Sequence, residues 1–105
     1  MAELDGDRRL ATIRADAEAG VPRARRLLAL RLLEGRGVEA DPETAIAWLE
    51  ADGEAGYGPA LRTLAELHAE GRHVAEDPER ARALLEAAAA AGDREARRRL
   101  NARGD

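Results

Sequence analysis

The stretch Gly35-Arg36-Gly37-Val38-Glu39-Ala40-Asp41-Pro42-Glu43 returns 36 residues later as Gly71-Arg72-His73-Val74-Ala75-Glu76-Asp77-Pro78-Glu79. Each copy reads as the end of one helix and the start of the next. Gly35 and Gly71 suit a left-handed C-cap, which a residue without Cβ adopts at no steric cost. Asp41 and Asp77 are helix N-caps, because their carboxylates can accept orphan amide N–H groups. Pro42 and Pro78 follow at the first helical position, where a missing N–H is not felt. Glu43 and Glu79 add negative charge at the positive end of the helix dipole.

The repetition extends outward from this stretch. Residues 20–55 set over residues 56–91 without gaps match at 18 of 36 positions, among them Gly20/Gly56, Ala24/Ala60, Arg26/Arg62, Leu28/Leu64, Ala45/Ala81 and Leu49/Leu85. Downstream, Gly92, Ala96, Arg98 and Leu100 continue the pattern. Upstream, Asp5, Ala11, Ala15 and Ala19 stand one period before Asp41, Ala47, Ala51 and Ala55. A fixed period of this length is the mark of a stacked repeat architecture. The expected organisation is one domain over residues 1–105, divided into a half-repeat (5–19), two repeats (20–55 and 56–91) and a C-terminal half-repeat (92–102). Helices are expected over about Pro22–Glu34 and Pro59–Glu70, from Pro42 and Pro78 onward, and in the polar end segments Asp7–Ala19 and Asp93–Ala102. The expected fold is therefore all-α: an α/α right-handed solenoid of 36-residue helix-turn-helix repeats with about six helices. The polar ends read as caps of a complete chain.

Composition agrees. Hydrophobic residues make up 45% of the 105, but aromatics only 2%, so the core must be Leu and Ala, which suits close helix packing. The net charge of −4, with both signs interleaved, argues against general nucleic-acid binding, which rests on a basic surface. Cys, Ser, Lys, Phe and Gln are absent and all 17 basic residues are Arg. Disulfides, thiolate metal sites and Cys or Ser nucleophiles are thereby excluded. The N-terminus shows no secretory signal and no stretch reaches 18 consecutive apolar residues, so a cytoplasmic location without membrane contact is the expectation.

The pattern Gly20, Ala24, Leu28, Gly35-x-Gly37-Val38, Asp41, Ala45, Trp48, Gly56 resembles the Sel-1-like repeat, a relative of the tetratricopeptide repeat, over about residues 5–102. The resemblance implies a solenoid whose concave groove is lined by the first helix of each repeat. It also implies a bacterial adaptor or scaffold that binds another protein; some relatives neutralise secreted toxins as immunity proteins. The chain departs from the family pattern at Ala29 and Ala65 (usually Gly), Leu32 and His68 (usually Tyr), His73 (usually Gly) and Asp52-Gly53 (usually Ala-Ala).

Several residues are candidates for function. Arg26, Arg62 and Arg98 recur at one repeat position and would form a ladder able to grip an acidic or C-terminal segment through carboxylates. The alternative is a solvated face, with Arg62 paired to Glu66 at i,i+4. Leu30 and Leu33, with Leu27, have Glu66, Ala69 and Thr63 as counterparts; they read as an exposed apolar anchor unless the N-terminal helix covers this helix through Leu10 and Ile13. Asp52-Gly53 falls on the core-facing stripe, so the third helix is expected to end early there or Asp52 to pair with an arginine. Trp48 reads as core. His68 and His73 lack the i,i+4 spacing of a helical metal pair, and Arg103-Gly104-Asp105 reads as a chance tripeptide.

No activated nucleophile, acid–base pair or cofactor motif is present. The expected function is a non-catalytic interaction module, without cofactor or metal, that binds a protein or peptide through Arg26, Arg62, Arg98, Leu30, Leu33 and Glu66. It is expected to be a monomer or weak homodimer. The alternative is an immunity-type inhibitor of one bacterial toxin.

Overall fold

The computed structural model describes residues 2–102, with side chains from residue 8 onward. Arg103-Gly104-Asp105 lies outside the described residues. Within them are six α-helices and no strand: α1 (Ala2–Glu18), α2 (Pro22–Glu34), α3 (Pro42–Glu54), α4 (Gly58–Glu70), α5 (Pro78–Ala90) and α6 (Arg94–Ala102).

The local chemistry of the repeated stretch sets these boundaries. Gly35 (φ 70°) and Gly71 (φ 66°) close α2 and α4 in the left-handed conformation, and their N–H groups donate to the carbonyls of Arg31 and Leu67. At the start of α3 the Asp41 carboxylate accepts from the Thr44 amide at 3.2 Å and from its hydroxyl at 2.7 Å. At the start of α5 the Asp77 carboxylate accepts from the Arg80 amide at 3.0 Å. The Asp41 and Asp77 amides reach back to the carbonyls of Leu32 and His68 at 2.8 and 2.9 Å, which pins each connecting loop to the helix it leaves. His73, at the repeat position of Gly37, keeps φ at 65° although it carries a side chain, a conformation that disfavours any residue with a Cβ.

The chain forms two compact units, Met1–Trp48 and Leu49–Asp105, with the division falling inside α3. In the first, Ala17, Ala24 and Leu28 form a buried cluster against which Leu10, Ile13, Leu32, Val38 and Trp48 pack. The N-terminal helix thus does cover α2 through Leu10 and Ile13. Leu33 is 4% exposed and Leu30 is half-buried. The apolar anchor expected from Leu30 and Leu33 is therefore not an exposed patch: burial removes Leu33 from any partner's reach. Among the described residues Val21 is the exposed large hydrophobic.

In the second unit Leu64, Leu67, Leu84, Leu85, Ala60, Ala65, Ala81, Ala88 and Ala96 are buried. Thr63 is buried with them, and its hydroxyl donates to the Pro59 carbonyl at 3.0 Å. A hydroxyl spent on its own helix can enter a core without a large desolvation cost.

The expected early end of α3 does not occur. The helix runs through Asp52 and Gly53 to Glu54. Gly53 is buried, and a Cβ there would lie 2.8 Å from Leu61 Cδ2 and 3.2 Å from its Cγ. The glycine is present for close approach to Leu61 rather than for helix termination. Asp52 is half-buried and engaged.

Candidate interaction surfaces

The buried Asp93 organises the second unit's surface. It is the N-cap of α6, accepting from the Ala96 amide at 3.0 Å. The Arg62 Nε of α4 donates to both its oxygens, at 3.2 and 3.0 Å. Burial pushes the Asp93 carboxyl upward, but the Ala96 amide and the Arg62 guanidinium outweigh it and hold the group below the usual carboxylate value. Close approach makes the pair possible: Gly58, at the start of α4, has no Cβ, and one built there would lie 2.9 Å from Asp93 Cβ and 3.2 Å from the Ala88 carbonyl.

The ionic contacts continue from this pair. Arg62 lies 3.8 Å from Glu66. Glu66 accepts from Arg99, whose Nε also donates to Glu95 at 3.0 Å. The hydrogen bond to Glu66, and then that to Glu95, raise the Arg99 pKa. Arg98 lies 3.4 Å from Glu95 and its side chain is 75% exposed. Of the predicted ladder, Arg62 and Arg98 therefore lie in one unit, but with different roles. Arg62, 16% exposed, braces the fold; Arg98 faces solvent. Arg26, Leu30 and Leu33 lie in the first unit, where Arg26 is half-buried and engaged. Glu66 is half-exposed and acts as the ionic link between α4 and α6.

Arg62 and Arg98 line one shallow groove of about 560 Å3, together with Tyr57, Pro59, Arg94, Glu95 and the turn glycines Gly56 and Gly92. A second groove, of about 410 Å3, lies in the first unit. Ala17, Leu28, Leu32 and Trp48 form its apolar surface, and Arg14, Glu18, Arg25, Asp41 and Thr44 its polar one. There the Arg25 guanidinium sits 5.3 Å from the centre of the Trp48 ring, within cation–π range. Trp48 is thus a core residue on one side only.

Asp93 and Arg25 carry different signals. Asp93 follows Gly92 and precedes Arg94-Glu95-Ala96, so its capping role is readable. Its pairing with Arg62, 31 residues away, is not. Arg25 carries no signal, since its repeat counterpart is Leu61.

Among the described residues no group of three or more His, Asp or Glu side chains is placed to hold a metal ion. No helix of the described residues is long and apolar enough to cross a membrane.

The Sel1 repeat model matches residues 22–56 and 58–93, about two thirds of the chain. The chain belongs to the Sel1-repeat family. A Sel1 repeat protein from Oxalobacter formigenes is similar in structure, with a TM-score of 0.68 and 36% identity over 85% of this chain and 67% of that one. A protective antigen of uropathogenic Escherichia coli with an SLR fold matches at a TM-score of 0.64 and 30% identity, over 76% of this chain but only 17% of that protein. No curated protein matches the sequence. This Sel1-repeat chain is accordingly an all-α helical-repeat solenoid of a kind found in bacteria. Proteins of the family generally act as protein–protein interaction modules and are typically non-catalytic.

Proposed function

We propose that this Sel1-repeat protein is a non-catalytic interaction module whose second unit takes an acidic segment of a partner protein into the groove lined by Arg62, Arg94 and Arg98. The observation that carries this reading is that Arg62 and Arg98, one period apart in sequence and on different helices, line the same open groove. Arg62 is held by Asp93 and supplies rigidity. Arg94 and Arg98 are exposed and supply the charge that an acidic segment meets first. Exposed charges of this kind act mainly on encounter rate and orientation. Because the helices are already packed, little ordering entropy opposes binding.

The test compares affinity capture from lysate by wild type and by an Arg94→Glu/Arg98→Glu variant, with circular dichroism confirming that the variant is folded. Arg62 is left unchanged because it braces the fold. A partner retained by wild type and lost by the variant supports the reading. The same partner captured equally by both overturns the assignment of this groove.

A further inference from the structure

The charges of α3 and α6 are segregated. α6 carries four arginines against one glutamate, whereas α3 carries four carboxylates and no basic residue, alone in this among the six helices. On the other helices of the second unit the glutamates meet arginines of the same chain: Glu66 with Arg99, Glu70 with Arg72 and Glu86 with Arg82. The exposed Glu50 and Glu54 of α3 meet no arginine among the described residues, and Arg94 of α6 meets no carboxylate among them.

The repeat shows that the fold does not require this arrangement. One period after Glu50 and Glu54 stand Glu86 and Ala90, and the Arg82 that holds Glu86 has Ile46 as its counterpart. Arg94 stands where the two earlier repeats have Pro22 and Gly58.

The groove that takes the acidic segment sets two requirements. Its own acids are spent: Asp93 accepts from Arg62 and from the Ala96 amide, and Glu95 is shared by Arg98 and Arg99. The charge left to satisfy is therefore positive, on Arg94 and Arg98. Gly56 and Gly92 stand at its turns, and a Cβ on either would meet nothing within 4 Å, so an occupant must approach bare backbone. α3 meets both requirements. Glu50 and Glu54 are four residues apart on a helix, as are Arg94 and Arg98, which sets each pair about 6 Å apart along its axis. Ala47 and Ala51 lie exposed on the same face as the two glutamates, and side chains this small let a helix come close.

We infer that the groove's acidic segment is α3 of a second copy of this chain, with Glu50 and Glu54 of one copy docked on Arg94 and Arg98 of the other. The inference rests on the reading above that this groove takes an acidic segment. Each copy carries one groove and one α3, so the contact joins unlike surfaces. Exposed ion pairs are individually weak, so half-association is expected at about 0.1–1 mM protein.

The net charge of −4 gives the salt dependence a decisive sign. Whole copies repel one another and salt relieves that repulsion, whereas the paired helices attract and salt weakens that attraction. Sedimentation equilibrium of the full chain, up to about 1 mM, reads both. The average mass is expected to rise above the monomer's 11.3 kDa with protein concentration, and to fall back as salt goes from about 0.05 to 0.5 M. Glu50→Arg/Glu54→Arg and Arg94→Glu/Arg98→Glu, each shown folded by circular dichroism, are expected to stay at the monomer mass. An equimolar mixture of the two is expected to associate again, because the reversed α3 meets the reversed α6 while the unreversed faces still match.

Wild type at the monomer mass throughout, association that grows with salt, a Glu50→Arg/Glu54→Arg variant that associates as wild type does, or a mixture that stays monomeric overturns the inference. If wild type stays monomeric while capture from lysate still depends on Arg94 and Arg98, the groove takes another protein and only the second copy is refuted. If Arg94→Glu/Arg98→Glu both associates and captures as wild type does, the reading of the groove falls as well.

Discussion

Asp93 serves two elements at once, and its replacement separates the two roles. Asp93→Ala removes the α6 N-cap, a loss of about 1 kcal/mol. It also removes the acceptor for Arg62, whose single Nε–H spans both carboxylate oxygens at 3.0 and 3.2 Å. A charge-assisted bond of this kind contributes about 1.5–3 kcal/mol. The guanidinium left behind is only 16% exposed, and Glu66 lies 3.8 Å from it. Together the loss should be about 3 kcal/mol, a large share of the stability of a chain this size. In a thermal scan this corresponds to a fall of about 12–24 °C in Tm. Asp93→Asn keeps a capping oxygen and should lose about half as much.

The assay is chemical denaturation followed by circular dichroism, for Asp93→Ala, Arg62→Met and the double variant. A coupling energy of about 2 kcal/mol is expected between the two sites. Acid supplies a second readout. Asp93 is held below its usual pKa in the folded chain, so on acidification the unfolded chain takes up the proton first. The pair's contribution is complete above the unfolded value of about 4 and is lost as pH falls through the lower folded value. Asp93→Asn should flatten that part of the pH profile. A cost of Asp93→Ala no greater than that of a lost cap, or a coupling below about 0.3 kcal/mol, would refute the assignment of Arg62 as a brace.

Three further substitutions test the packing. Gly58→Ala should cost about 1–3 kcal/mol, because the new Cβ meets the Ala88 carbonyl as well as Asp93 Cβ and the backbone cannot turn aside; denaturant midpoints measure this. His73→Gly should raise stability by about 0.5–1 kcal/mol, since a left-handed residue loses its Cβ clash but gains freedom when unfolded; a lower midpoint would show that the His73 side chain contributes more than its strain. Asp77→Ala should cost about 1 kcal/mol and Asp77→Asn much less, because either Asp or Asn can accept from the Arg80 amide; equal losses would contradict the capping role.

The apolar face of α2 shows where reading residues one helix at a time stops. Leu27, Leu30 and Leu33 exceed what the matching helix carries, and the excess could equally face a partner or another part of the chain. The burial of Leu33 decides this, and no periodicity within α2 could have done so. Asp52-Gly53 is a similar case. Helix propensity argues for termination, but the nearness of Leu61 accounts for the glycine, and that nearness is made across the turn between the end of α3 and the start of α4.

Legible in the chain alone was the chemistry closed within a few residues: the Asp41 and Asp77 caps, the prolines after them, the left-handed Gly35 and Gly71, and hence the helices and their period. These features need only neighbouring backbone groups, so they are readable without a fold. Repetition of the same signals then made the architecture legible, because a unit that cannot bury its apolar face alone must stack. The tertiary structure alone decided which charges meet. Arg62 on Asp93, Arg99 on Glu66, and Arg25 on Trp48 join residues 23 to 33 apart through side chains that carry no pairing signal. Coulomb attraction and cation–π contact depend on distances set by helix packing, and 17 identical arginines offered no way to tell a buried brace from a solvent-facing charge before those distances were known.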